Sequence, residues 1–128
     1  PLIFHVREAF DDFFAILDNF SSAKIRGVVH SFSDNKKNLR KSLERDFYIG
    51  VNGLATYSTL PMPPIERILL ETDAPFLAPV PLRGQTNQPV NVHYVAKWLA
   101  EKLGLDFEEV AKITTENSEI LFNLGAKK

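Results

Sequence analysis

His5, His30 and Asp73 each stand where a short apolar run stops: His5 closes residues 2–4, His30 closes residues 25–29, and Asp73 follows residues 68–70 through Glu71 and Thr72. Imidazole and carboxylate are ordinary ligands of zinc, manganese and magnesium. Three such groups on separate strands would be held rigidly enough to fix a coordination geometry. The third run makes the strongest demand. In ILLETDAPFLAP, residues 68–79, a fully apolar segment ends abruptly in acids, and a buried ionised carboxylate is costly unless a metal, a cation or several hydrogen bonds compensate it. Each residue also has an ordinary structural alternative. A single strand-end histidine can be a hydrogen-bonded structural residue, and TDAP is good turn chemistry for an acid. Glu71 falls with Leu69 on the face opposite Leu70 in a regular strand, where pairing with a helix cation is expected. His93 stays outside the candidate set, because it lies in an amphipathic segment between Val92 and Tyr94 as a partly exposed surface residue.

The elements that must position these side chains are short apolar strands separated by segments of helix length. After residues 2–4, the stretch REAFDDFFAILDNF sets Phe10, Phe13, Phe14, Leu17 and Phe20 at helical spacing. Residues 25–29 read as the next strand, and Ser33 or Asp34 is placed to cap a helix carrying Leu39 and Leu43. Residues 47–51, closed by Asn52 and Gly53, and residues 68–70 form two further strands. Between them LATYSTLPMPPIER carries prolines at 61, 63 and 64 and leaves no room for a full amphipathic helix. Beyond a proline-rich loop over 75–89, Val92, Val95, Ala96, Leu99 and Leu103 share one face of a helix that stops at Gly104. Asp106 and Thr115 then begin two more helices. Strand and helix in alternation imply parallel βα units rather than hairpins. In such proteins the C-terminal ends of the strands face the ligand crevice, and that is where His5, His30 and Asp73 fall.

The bulk composition narrows the chemistry. With 128 residues, 45% of them hydrophobic, the chain has ordinary globular composition and is expected to form a single domain, 1–128, or part of one. Fifteen basic residues against 16 acidic ones give a net charge of -1, so no global positive field marks a nucleic-acid binder and any such contact must be local. The absence of cysteine excludes disulfides, thiolate zinc sites and a cysteine nucleophile, and is in keeping with the reducing cytoplasm. No apolar stretch approaches the roughly 20 residues needed to span a bilayer, and no membrane partner is expected. Pro1 followed at once by Leu2, Ile3 and Phe4 reads as a strand entered partway along a chain.

The segments PLIFHVREA, GVVHSFS, FYIGVNG and RILLETDAPFLAPVPLRGQTNQP, with TTEN near the end, cover nearly the whole chain in this order. Together they resemble the TatD-like metal-dependent deoxyribonucleases, a branch of the amidohydrolase-type barrels. The resemblance implies an α/β fold of TIM-barrel-like (β/α) units, with this chain as the second half, strands five to eight, of a (β/α)8 barrel. It further implies a hydrolase with two divalent metal ions, Mg, Mn or Zn, that cleaves phosphodiester bonds of DNA, exonucleolytically at single strands or strand ends. On this mapping His5 and His30 resemble the two histidines of one metal position. Asp73 resembles the aspartate that binds the other metal and orients the attacking water. The pattern departs from the family at two points: the chain has no HxH pair and no glutamate strand upstream of PLIFH, and residues 59–64 lack the family's helix before the ILLETD strand.

Beside the metal residues, Arg83 next to Gly84 in the proline-rich loop is the expected phosphate contact, because a guanidinium grips two phosphate oxygens. Asn87 is expected to position that loop or a substrate oxygen. Phe32 and Phe76, each a few residues past a proposed ligand, are expected to stack on a terminal base, with core packing as the alternative in a chain holding ten phenylalanines. Arg7 offers a further phosphate contact.

Residue types alone support a metal-dependent hydrolase and suit an amide or ester as well as a phosphodiester. The competing reading is a catalytically incomplete half-barrel that acts as a scaffold or binding module and self-associates to cover its open sheet edges. An open receiver-like or flavodoxin-like sheet fits poorly, since it predicts an acidic pocket at the first strand and no strand-end histidines.

Overall fold

Leucine, isoleucine and valine dominate the segments that become strands, as suits residues buried on both faces of a parallel sheet. The computed structural model describes residues 1–20 and 22–125 and contains β1 (Leu2–His5), α1 (Phe10–Asp18), β2 (Gly27–His30), α2 (Lys36–Leu43), β3 (Tyr48–Val51), β4 (Ile68–Leu70), α3 (Val92–Leu103) and α4 (Phe107–Phe122). All four strands are parallel and pair in chain order, β1-β2-β3-β4. This sequential order belongs to barrel sheets. Doubly wound sheets reverse direction at a switch point, so the flavodoxin-like alternative is excluded.

Alternation along the strands divides the core. Val29 and Ile49 turn outward to Phe10, Phe14, Phe32, Leu39 and Phe47, while Val51 and Ile68 meet Val95 and Leu99 of α3 and Val110 of α4. The other face, made by Val28, Tyr48 and Leu69, is closed by Leu121, with Phe122 packed against it. The open side of β1 leaves Ile3 66% exposed, and no strand pairs with it among the described residues.

Several expected boundaries move. α1 starts at Phe10 rather than Arg7, because Glu8 turns the chain with φ at +52°. α2 is capped by Asn35, whose side chain accepts the Asn38 N–H at 3.0 Å, whereas Asp34 accepts from the Asn35 N–H and the Asn38 amide. Between β3 and β4 the chain makes only 3-10 turns at Gly53–Thr56 and Ile65–Arg67, in line with the three prolines. Gly104 ends α3 in the left-handed conformation, as expected.

The expected break at Thr115 does not occur, and α4 is one helix. Thr114 turns its hydroxyl back to the Val110 carbonyl at 2.8 Å, Ser118 does the same to Thr114 at 3.0 Å, and neither proline nor glycine interrupts the segment. Asn117, from the TTEN segment, is buried and donates to the carbonyls of Ile65 and Ile68 at 2.8 Å each. It fastens α4 to the start of β4. Arg26, just before β2, donates to the terminal carbonyls of the same helix at Ile120 and Leu121, where the helix dipole favours a cation. Asn117→Ala would remove the Asn117 bond to the buried Ile68 carbonyl and one of two bonds to the Ile65 carbonyl, and is expected to lower unfolding free energy by about 1–3 kcal/mol, read as a reduced denaturant midpoint at unchanged slope.

Among the described residues no helix is long and apolar enough to cross a membrane.

Candidate metal centre

Parallel pairing in register brings the strand ends together. His5 is the direct partner of His30, and their rings lie 5.8 Å apart between centroids. Two strands further on, Glu71 continues the ladder by donating its N–H to the Val51 carbonyl. Its side chain keeps to the face opposite Leu70, as the alternation requires. There the expected pairing with a helix cation is replaced by a different contact. One carboxylate oxygen of Glu71 accepts the Ser31 N–H at 2.6 Å, and the other bonds His30 Nδ1. Burial raises the Glu71 carboxyl above its ordinary value, against the opposing pull of the Ser31 N–H and His30.

Asp73 reaches His30 from the opposite side, with Oδ1 3.2 Å from Nε2. With Glu71 as the carboxylate, a proton on Nδ1 would bond it and the neutral ring would present its lone pair at Nε2 toward Asp73. Two acceptors facing each other at 3.2 Å repel unless a proton or a cation joins them. An ion with bonds of about 2.1 Å to each donor accommodates that spacing, so the donor chemistry fits a divalent metal. The carboxylate on the far ring nitrogen is the usual support of a ligating histidine. Among the described residues no three of these groups converge as a cage by themselves.

The backbone here departs from the ordinary. Glu8, Ser31, Asp73 and Leu77 all have φ between +50° and +58° and all line one cleft of about 440 Å³, together with His5, Arg7 and Phe76. Non-glycine residues pay roughly 1–2 kcal/mol for this conformation, and such outliers cluster at functional sites. A larger cavity of about 850 Å³ opens at the other end of the strands, with Lys24, Arg26, Arg45 and Arg67 in its lining. Its three arginines are committed to the α4 carbonyls, Asp18 and Asp46 respectively, and ligands of parallel sheets bind at the C-terminal edge. The smaller cleft is therefore the candidate site.

One expected substrate contact, Phe32, is corrected; Asn87 takes the loop-positioning role, the first of the two expected of it, and Arg83 stands outside the cleft lining. Phe32 is only 5% exposed and packs on Phe10 at 5.6 Å between centroids, so it fills the core and offers no face to a base. Asn87 spends its whole amide on the protein: it donates to the carbonyls of Thr72 and Phe76 and accepts from the Gln88 N–H and Asn91. It clamps the loop on both sides of Asp73 and has nothing left for a substrate. Arg83 does not line the cleft; its guanidinium stacks on Tyr57 at 3.6 Å. Phe76, by contrast, is 70% exposed at the cleft wall, and Arg7 is the cationic side chain lining it. His93 lies in α3 against Tyr94, away from the cleft. Glu71 is the residue that residue types alone misplace. The signal for it is the strand alternation, which puts it on the same face as Leu69.

A family model described as TatD related DNase matches residues 1–123. An uncharacterized metal-dependent hydrolase of Bacillus subtilis (strain 168) is 37% identical over 132 residues, spanning 98% of this chain and 52% of that protein. The 3'-5' ssDNA/RNA exonuclease TatD of Citrobacter rodentium is 32% identical over 139 residues, spanning 99% of this chain and 53% of that protein. Among solved structures, a TatD homologue from Escherichia coli K12 superposes with a TM-score of 0.83 at 30% identity, covering 96% of this chain and 50% of the other. A TatD family hydrolase from Entamoeba histolytica superposes at 0.85 with 21% identity, a likeness of fold alone. The chain spans about half the length of these relatives, and its parallel α/β sheet matches half of their barrel.

Proposed function

The chain belongs to the TatD-related DNase family, and we propose that it forms the C-terminal half of a divalent-metal-dependent hydrolase that removes nucleotides from the ends of single-stranded DNA. The observation that carries this reading is His30, held between Glu71 on Nδ1 and Asp73 on Nε2 at the C-terminal edge of the sheet, with His5 beside it. The exonuclease name of the Citrobacter rodentium relative supports the substrate.

His5 and His30 would hold one divalent ion through ring nitrogens, and Asp73, with Oδ1 3.2 Å from His30 Nε2, would reach that ion as well as the second metal position of the two-metal mapping. When bound, such an ion would supply Lewis acidity to the phosphodiester and to the attacking water. Asp73 orients that water and accepts its proton, in a turn kept in place by Asn87 on either side. Arg7 pairs with a substrate phosphate, and Phe76 provides a face for the terminal base. Phe76→Ala is then expected to raise KM about tenfold with little change in kcat, since base stacking contributes about 1–3 kcal/mol. Steady-state kinetics on single-stranded oligonucleotides checks this.

One observation favours the scaffold reading: no three candidate ligands cage an ion among the described residues. The intact mass of the natural polypeptide separates the two. A complete barrel needs about 250 residues, so the hydrolase reading expects a mass near twice the 14.5 kDa of this chain, whereas a scaffold of this length would have that mass itself.

A further inference from the structure

We propose that Gly50 and Glu71 form a positioning pair, in which the missing side chain of one lets the carboxylate of the other fix the tautomer of His30. The inference rests on the reading of His30 as a metal ligand. A Cβ built on Gly50 would overlap Glu71 Oε1 outright, and would lie 2.6 Å from its Cδ and 3.0 Å from the Ser31 nitrogen. No flexible end of a side chain takes up that clash, because the carboxylate is pinned by Ser31 and His30. Gly50 has no need of glycine for its own backbone: it lies within β3 and is not among the residues with positive φ. Its smallness serves the neighbouring strand.

Both Glu71 oxygens face donors, the Ser31 N–H and His30 Nδ1–H. Ser31 is itself held with φ at +50°, its hydroxyl accepting from buried Asn52 at 2.8 Å. A carboxylate satisfies two donors at once, whereas an amide presents one acceptor and one NH2. Glu71→Gln with Oε1 kept on Ser31 would therefore turn an NH2 toward Nδ1, make that nitrogen the acceptor and move the ring proton to Nε2. The lone pair aimed at Asp73 would be lost.

Long-range proton–nitrogen correlation of the histidine rings in the full-length, metal-free natural protein tests this, at a pH about two units above the ordinary imidazole value. The expected result is a protonated Nδ1 at His30 in the parent and an unprotonated Nδ1 in Glu71→Gln, with His5 and His93 unchanged. Gly50→Ala should give the same change at His30. Zinc affinity, measured by competition with a chelating dye, should fall about 10–100-fold in both variants, the scale of lost carboxylate support to a ligand. If Nδ1 keeps its proton in Glu71→Gln, the inference is overturned, and this isosteric variant decides the matter should Gly50→Ala not fold. Failure of the underlying reading looks different: His30→Ala would leave zinc affinity intact, while the ring tautomers would still report on Glu71.

Discussion

Asp73→Asn is expected to reduce metal-dependent DNA turnover about 10²–10⁴-fold, the span attributed to a positioned general base, while the protein stays folded. The substitution keeps the shape of the side chain and removes its charge. Its new NH2 group would meet the His30 Nε2 lone pair 3.2 Å away, so the variant fills with a hydrogen bond the place where a cation is needed. The fold should be indifferent. Asparagine adopts the left-handed backbone at φ +58° about as readily as aspartate, the turn bond from the Phe76 N–H goes to the Asp73 carbonyl rather than its side chain, and Asn87 grips Thr72 and Phe76 without touching residue 73. Circular dichroism and a denaturant midpoint within about 0.5 kcal/mol of the parent would accompany the loss of kcat. Near-parental turnover would remove Asp73 from the site.

His30→Ala is expected to abolish metal-dependent turnover and to leave the fold intact. The ring is the group that both carboxylates address; without it Glu71 and Asp73 face each other with no nitrogen donor between them. Stability should change little, since Glu71 retains the Ser31 N–H and its partly exposed side chain admits water to the freed oxygen. His93→Ala is the matched control. Its ring packs on Tyr94 and bonds the Val90 carbonyl, so activity should be unchanged, and a loss there would show the site to be drawn in the wrong place.

The convergence of His5, His30 and Asp73 is legible in the amino-acid sequence, because parallel strands share a direction and their polar endings must gather at one edge. The same logic recovers all four strands, α3 with its Gly104 stop and the missing helix before β4. What escapes sequence reasoning depends on tertiary context. Phe32 follows a candidate ligand as closely as Phe76 does, yet one is buried against Phe10 and the other exposed; spacing carries no information about that difference. Asn87 and Arg83 share a loop, and only the hydrogen-bond accounting shows that the asparagine is fully spent on Thr72, Phe76, Gln88 and Asn91. Thr115 looks like a helix start by type, but Thr114 and Ser118 satisfy their hydroxyls within the helix and let it run on. Gly50 reads as an ordinary strand glycine until the Glu71 carboxylate is found in the space its side chain would occupy.

The most direct test is nucleotide release from a single-stranded oligonucleotide by the natural full-length protein, before and after treatment with a chelator and after adding back manganese or magnesium. Release should stop on chelation and return with the metal if this chain completes a metal-dependent nuclease. Release that persists in the chelator, or no release with any divalent ion, would contradict that role.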